Sequence, residues 1–257
     1  MRLGADERSE ERFDELLAAG QSAVDVMFGW LDAGLEFDRT VPAFVGSLFA
    51  IRSTRNLKAV QLLCAAGYAV EAQTLLRNMV EDAVTLGYIS TKPDKLAKDW
   101  LSFENPRLAS ETDLLAILQE DVPDTVPAPV PERAKFSRWT RLSLFAMAER
   151  ADRATPGIAE YLEYVYPVLS DRAHGNISSS TSYAKAHPDG TLEALYKPSA
   201  RQVDITLCNA VTVALTTAER AKALGVDLDL TALEQTERDV YAACGMSEGP
   251  PPIGDEG

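Results

Sequence analysis

The stretch AGYAVEAQTLLRNMVEDAVTLGYI, residues 66–89, decides the fold class. Its apolar residues recur every three or four positions, so at about 100° per residue they share one face of a helix. This face comprises Ala72, Leu75, Leu76, Met79, Val80, Ala83 and Leu86. Polar residues occupy the opposite face, which we predict to contact water: Glu71, Thr74, Asn78, Asp82 and Thr85. The pattern therefore predicts an amphipathic helix with one buried face.

The same periodicity covers most of the chain, whereas the alternation typical of strands is nearly absent. The predicted helices span about 6–34, 40–67, 68–90, 94–104, 107–120, 137–154, 157–174, 199–224 and 230–244. Thr40 and Ser137 are the predicted N-caps of two of them. A Pro-Asp-Gly turn in AKAHPDGTLEA predicts a small hairpin near 183–196. The fold class is therefore all-α, a multi-helix bundle of about eight to nine helices.

One proline-rich segment interrupts the helices. EDVPDTVPAPVPER, residues 120–133, has four prolines within nine positions, which excludes a helix because proline lacks the amide hydrogen that a helix needs. We predict a single helical domain over residues 1–245, in which the proline-rich loop 121–133 lies between an N-terminal and a C-terminal group of helices. The composition of SEGPPPIGDEG predicts that residues 246–257 form a disordered acidic tail.

The net charge of −14 is concentrated at the two ends of the chain. Residues 1–38 hold 10 acidic and 3 basic side chains, residues 223–257 hold 8 and 1, and the remainder is balanced. This distribution argues against broad binding to duplex DNA, which needs an extended basic surface. The longest apolar runs are too short to span a membrane, and the N-terminal residues do not resemble a signal peptide. Three widely spaced cysteines fit reduced thiols, so we predict a cytoplasmic protein.

A polar stripe lies at the seam between the two faces of the 66–89 helix. It consists of Gln73, Arg77, Glu81 and Tyr88. Arg77 and Glu81 are four residues apart, so their side chains are predicted to meet. Two interpretations stay open. The pair is an ion pair at the edge of the core, or Glu81 and Gln73 hold the arginine toward a ligand, with Tyr88 as a further ligand-binding residue.

A second polar group marks the end of the helix predicted at 157–174, within YVYPVLSDRAHGNISSSTSY, residues 164–183. Ser170 lies one turn before His174, and Arg172 lies between them; Ser170 and Arg172 are candidate ligand-binding residues. His174 is a candidate acid or base near neutral pH. The alternative is a histidine that, when protonated, interacts favourably with the helix dipole.

These two helices resemble those of an uncharacterised, mostly bacterial family of helical proteins. Its members share an L-x-R-x-x-x-E helix and a later Y-x-x-x-S-x-x-x-H helix. The residues that match these patterns are Leu75, Arg77, Glu81, Tyr166, Ser170 and His174. The resemblance covers about residues 40–220 and implies an all-helical fold in which the two motif helices face each other. It implies no known reaction.

The chain is also similar, more loosely, to HEPN domains, which are helical bundles that often dimerise and act as metal-independent ribonucleases. Their active site uses an arginine and a histidine four to six residues apart on one helix. Here Arg172 and His174 are two apart. An equivalent pair would have to be assembled from Arg77 and His174.

Familiar catalytic motifs are absent from the sequence, which has no G-x-G-x-x-G, no G-x-x-x-x-G-K-[ST], no H-E-x-x-H and no G-x-S-x-G. We therefore predict neither a metal site nor a cofactor. The favoured hypothesis is an interaction or regulatory module in which Arg77, Glu81 and His174 form a polar network between two helices.

The alternative hypothesis is a metal-independent ribonuclease of a toxin or defence system. His174 would then act as acid or base, and Arg77, supported by Glu81, would bind phosphate. Whether the protein is an enzyme stays open at this point. The identity of the partner also stays open between RNA, another protein and a second copy that forms a homodimer.

Overall fold

The computed structural model describes residues 7–104, 139–173, 184–189, 191–194 and 202–245. Eight helices lie within these residues: α1 Glu7–Ala33, α2 Val41–Ala65, α3 Ala69–Ser90, α4 Pro93–Glu104, α5 Leu144–Ala151, α6 Ile158–Ala173, α7 Val203–Ala223 and α8 Thr231–Ala243. Strands β1 Ala184–Ala186 and β2 Leu192–Ala194 pair in an antiparallel hairpin, as predicted. The all-α bundle is confirmed.

Several predictions fall outside the described residues. They are the helix at 107–120, the proline-rich loop 121–133 and the acidic tail 246–257. The single domain over residues 1–245 stays a prediction. Among the helices of the described ranges, none combines the length and the apolar character that crossing a membrane requires.

Capping residues set the helix boundaries. Thr40 caps α2 as predicted, because its hydroxyl oxygen accepts a hydrogen bond from the amide three residues later, at 3.3 Å. The helix predicted over 137–154 is shorter than expected. It begins only after Ser143, whose hydroxyl oxygen accepts a hydrogen bond from the amide of Ala146 at 3.2 Å. The predicted cap Ser137 lies outside the described residues.

Helix α3 lies at the centre of the bundle, where it packs against α2, α4, α5, α6 and α7. Because five helices surround it, α3 is buried on more than one face. Its buried residues are Ala69, Ala72, Gln73, Leu76, Met79, Val80, Asp82, Ala83, Val84, Leu86, Gly87 and Ile89. On another side of the bundle α8 packs against α1 and α7.

The prediction that Asp82 faces water is wrong. Its side chain is only 8% exposed and forms an ion pair with Arg52 of α2. Arg52 Nε donates to Asp82 Oδ2 at 2.6 Å, and Arg52 Nη2 donates to Asp82 Oδ1. This two-bond geometry is the strong form of an arginine–carboxylate contact. The error arises because a helical wheel assumes one buried face, whereas α2 covers α3 on the side that carries Asp82.

Helices α2 and α7 approach each other closely at Gly46. A Cβ atom built on Gly46 would lie 3.2 Å from Val226 Cγ2 and 3.3 Å from the Cα atom of Ala221. Ala221 contributes backbone atoms to this contact, and backbone atoms cannot move aside as the end of a side chain can. Gly46 therefore permits the close spacing of α2 and α7. Gly29 is exposed on α1, and a Cβ atom built on it would have no other atom within 4 Å, so it has no such role.

We predict that Gly46→Val destabilises the protein by about 1–3 kcal/mol, because its methyl groups would overpack the α2–α7 contact. Gly29→Ala is the matched control and should stabilise the protein by about 0.5–1 kcal/mol, since alanine loses less backbone entropy in a helix than glycine. Urea denaturation measures both changes. Equal effects of the two variants would contradict the close approach.

Candidate functional site

Helices α3 and α6 lie side by side and are joined by three polar side chains. Arg77 donates from Nε and Nη2 to the hydroxyl oxygen of Tyr166, at 3.2 and 3.0 Å. The same hydroxyl donates to Glu81 Oε1 at 2.6 Å. Arg77 Nε lies 3.1 Å from Glu81 Oε1, so these two residues meet as their spacing predicts. We call Arg77, Glu81 and Tyr166 the polar triad.

The polar triad lies at the edge of the core, with the side chains of Arg77 and Glu81 22% and 38% exposed. Burial raises the pKa of Tyr166, and its hydrogen bond to Glu81 raises that pKa further, so the phenol is protonated at neutral pH. Burial alone would lower the pKa of Arg77, but the hydrogen bond to Tyr166 and the charge of Glu81 outweigh it and raise the pKa. Tyr166 is therefore a neutral bridge between two opposite charges.

Helix α5 also contacts the polar triad. The ring of Phe145 stands edge-on to the ring of Tyr166, with 6.2 Å between the ring centres. This T-shaped arrangement is a favoured geometry for two aromatic rings. Tyr166 is thus held by its hydroxyl to α3 and by its ring to α5, which limits how far α6 can move relative to either helix.

A groove lies beside the polar triad, between α6 and α7. Its volume is about 220 Å³, and it is lined by Gln73, Leu76, Tyr164, Val165, Val168, Leu169, Gln202, Ile205, Thr206 and Asn209. We call it the α6–α7 groove. Within this lining Gln73 is four residues before Arg77 on α3, about 6 Å along the helix axis, whereas Leu76 and Val165 directly precede Arg77 and Tyr166 of the polar triad.

The floor of the α6–α7 groove is polar. Gln73 is 3% exposed, and its Nε2 atom donates to Thr206 Oγ1 at 3.0 Å and to Gln202 Oε1 at 3.2 Å. Its Oε1 atom is buried and has no hydrogen-bond partner among the described residues. Gln202 has a φ of 69°, a left-handed conformation that is uncommon for a residue other than glycine. A strained residue and an unsatisfied acceptor therefore meet at one place.

The residues of the predicted polar stripe do not form one site. Arg77 and Glu81 belong to the polar triad, whereas Gln73 turns to α7. Tyr88 does not contact the polar triad, and its assignment to a ligand-binding site stays a prediction. Tyr88 packs against Trp139, with 5.7 Å between the ring centres, and it is 11 residues from Arg77, or about 16 Å along α3.

The other predicted site residues lie on or next to α6. Ser170 is half-buried on α6, one turn beyond Tyr166. The side chain of Arg172 and the whole of His174 lie outside what the structure describes. The assignment of Ser170, Arg172 and His174 to a site therefore stays a prediction.

Sequence reasoning missed the part that Tyr166 plays, although the Y-x-x-x-S-x-x-x-H pattern contains it. It also missed Gln202 and Thr206 as the partners of Gln73, for which the sequence carries no signal. Within the described residues, no three histidine, cysteine, aspartate or glutamate side chains lie close enough together to bind a metal ion.

We predict that Tyr166→Phe lowers the free energy of unfolding by about 1 kcal/mol, because Arg77 and Glu81 lose the hydroxyl that joins them. The matched control is Tyr164→Phe. Tyr164 is two residues away on the same helix and 69% exposed, so its change should stay within about 0.5 kcal/mol. Thermal and urea denaturation measure the difference. A Tyr164→Phe effect as large as that of Tyr166→Phe would contradict the role of the polar triad.

Comparison with protein families matches residues 43–191, more than half of the chain, to the model of a family of unknown function, DUF5677. The matched residues include the whole of α3 and α6, and so the polar triad. No curated protein and no solved structure matches the chain. The resemblance to HEPN domains is not confirmed by these comparisons. The chain belongs to DUF5677, a family whose function is unknown, as the resemblance of its two motif helices to an uncharacterised family implies.

Proposed function

We propose that the protein is a non-catalytic interaction module, and that the α6–α7 groove binds a basic amphipathic helix of a partner protein. The observation that carries the proposal is the composition of the groove, which combines exposed apolar side chains at its rim with a buried, unpartnered hydrogen-bond acceptor at its floor. Such a combination of apolar surface and few polar groups is typical of binding sites.

The apolar rim supports a helix as the occupant. Tyr164, Val168 and Ile205 are 69%, 51% and 57% exposed. Tyr164 and Val168 are four residues apart, so they form one ridge along α6, and Ile205 on α7 faces them across the groove. A groove between two helices accepts the apolar face of a third helix, whose anchors recur at the same spacing.

The polar floor of the groove requires that the bound helix carry one hydrogen-bond donor. The Oε1 atom of Gln73 is buried without a partner among the described residues, and leaving a buried acceptor unsatisfied costs about 1–3 kcal/mol. A serine, threonine or asparagine side chain on the occupant would satisfy this oxygen. This requirement favours an occupant that is apolar but carries a hydrogen-bond donor near its centre.

Charge supports a basic partner. Asp204 is exposed, next in sequence to the rim residue Ile205, and the chain carries a net charge of −14, which is concentrated in residues 1–38 and 223–257. Lysine and arginine side chains that flank the apolar face of the partner would speed association and exclude acidic competitors.

The polar triad is evidence that the α6–α7 groove is already formed before the partner binds. Because Tyr166 holds α6 to α3 through Arg77 and Glu81, one wall of the groove is tied to its floor. A preformed site binds more tightly than one that must be ordered on binding. In this role Arg77 and Glu81 are structural, as in the interaction module that the sequence favours, and the part of His174 in their network stays a prediction.

The test uses a labelled amphipathic peptide of about 18 residues with leucine and one central serine on one face and lysine on the other. Fluorescence anisotropy should show binding to the protein, and Val168→Ser and Ile205→Ser should each weaken it roughly five- to thirtyfold, the loss expected from about 1–2 kcal/mol of apolar contact. The matched control is Leu62→Ser on α2, since Leu62 is as exposed as Ile205, at 57%.

Three outcomes of this experiment would contradict the proposal. The first is equal binding of a scrambled peptide of the same composition, which would indicate charge attraction alone. The second is equal weakening by Leu62→Ser. The third is a concentration-dependent dimer in sedimentation velocity that Ile205→Ser dissociates, which would make a second copy of the chain the occupant.

The second candidate function is a metal-independent ribonuclease in a toxin or defence system. What favours it is the contact of Arg77 with α6, because α6 leads directly in sequence to His174. Arg77 would bind a phosphate and His174 would move a proton. What disfavours it is that Nε and Nη2 of Arg77 are already engaged by Tyr166 and Glu81.

The ribonuclease is tested by incubating the protein with cellular RNA in the presence of a metal chelator. The candidate function requires cleavage by the wild type, loss of cleavage in His174→Ala, and full cleavage in His187→Ala, which removes the other histidine. We expect identical RNA profiles for all three proteins. For both candidate functions we propose a cytoplasmic location, on the odd number and wide spacing of the three cysteines in the sequence.

A further inference from the structure

Two cysteines that are far apart in the sequence meet in the structure. Cys208 lies on α7, and Cys244 follows the last residue of α8. Their Sγ atoms are 2.7 Å apart. This distance is longer than a disulfide bond, about 2.05 Å, but short enough to place the two sulfur atoms in direct contact. The pair is independent of the polar triad and the α6–α7 groove, because neither sulfur takes part in either.

The two thiols differ in access. Cys208 is 3% exposed, whereas Cys244 is half-buried at the end of α8. The contact with the Cys208 thiol holds the pKa of Cys244 below its ordinary value. The third cysteine, Cys64, is fully buried in α2, and burial raises its pKa to about 12. The accessible thiol of Cys244 therefore faces the buried thiol of Cys208. Cys64 is unreactive, because it is buried and stays protonated.

We propose that Cys208 and Cys244 form a reversible disulfide, and that the oxidant is a low-molecular-weight disulfide of the glutathione type. Cys244 is the attacking residue, because it is the accessible member of the pair. Cys208 is the resolving residue, because its Sγ atom is already in contact with the Sγ atom of Cys244.

The exchange proceeds in two balanced steps. The Cys244 thiolate attacks one sulfur of oxidised glutathione, which forms a mixed disulfide and releases one glutathione thiol. Cys208 then attacks the Sγ atom of Cys244, which forms the Cys208–Cys244 bond and releases the second glutathione thiol. The two cysteines lose two electrons and two protons, and the two released thiols gain them.

The bond would fasten the C-terminal end of α8 to the first turns of α7. In the reduced protein this end is held by Arg12 of α1, which donates from Nε to the carbonyl oxygen of Ala243 at 2.7 Å and from Nη2 to that of Cys244. The disulfide would close a loop between residues 36 positions apart. Cross-links of this kind stabilise a fold mainly by restricting the unfolded chain.

The test treats the full-length reduced protein with oxidised glutathione. We expect the number of free thiols, counted in denaturant, to fall from three to one, and peptide mapping to find the Cys208–Cys244 link. The Tm should rise by roughly 5–15 °C and return to its starting value on reduction. In Cys208→Ser, Cys244 should instead retain one glutathionyl group, because no resolving thiol is present. Cys64→Ala is the matched control and should still form the bond.

The proposal fails if the wild type keeps three free thiols, or if it accumulates glutathione adducts or dimers linked between chains. It also fails if Cys64 takes part in the bond that forms. The wild-type mass and peptide map decide the question even if Cys208→Ser folds poorly, since neither measurement needs the variant.

Discussion

Helix α3 is surrounded by five other helices, so those of its polar side chains that lie under a neighbouring helix are partly or fully shielded from water and pair with a side chain of that neighbour. Gln73 bonds to Thr206 on α7 and to Gln202, the residue before that helix. Arg77 and Glu81 bond to Tyr166 on α6, and Asp82 bonds to Arg52 on α2. These contacts point in three directions from one helix. Together with the apolar packing, they set the positions of α2, α6 and α7, because a displaced helix would leave a polar group on α3 unsatisfied.

Two of these contacts differ in a way that bears on function. In the polar triad the tyrosine hydroxyl both accepts and donates, and the opposite charges of Arg77 and Glu81 lie against each other. At Gln73, one turn earlier, the amide nitrogen is bonded but the amide oxygen has no partner among the residues that the structure describes. A polar group that is already matched stabilises the fold, whereas an unmatched one can contribute to binding. This contrast is why we assign recognition to the groove and a structural role to the polar triad.

The sequence predicted what depends on geometry within a single helix. The spacing of Arg77 and Glu81 was sufficient to predict that they meet, and Thr40 was recognisable as a cap. Prediction failed where several helices cover one. A helical wheel with one apolar face assigned Asp82 to water, yet Asp82 lies under α2. No periodicity within α3 encodes which neighbour covers which side.

The all-α class, the limits of most helices and the hairpin were determined by the sequence itself, because period, capping and turn residues act over a few positions. Only the tertiary structure decided the partner of each polar or reactive side chain. It brings Tyr166 to Arg77, turns Gln73 toward α7, and brings Cys208 to Cys244 across 36 positions of sequence. Such contacts depend on how whole helices pack against one another, and that packing is set by the shape of the shared core and not by the spacing within any one helix.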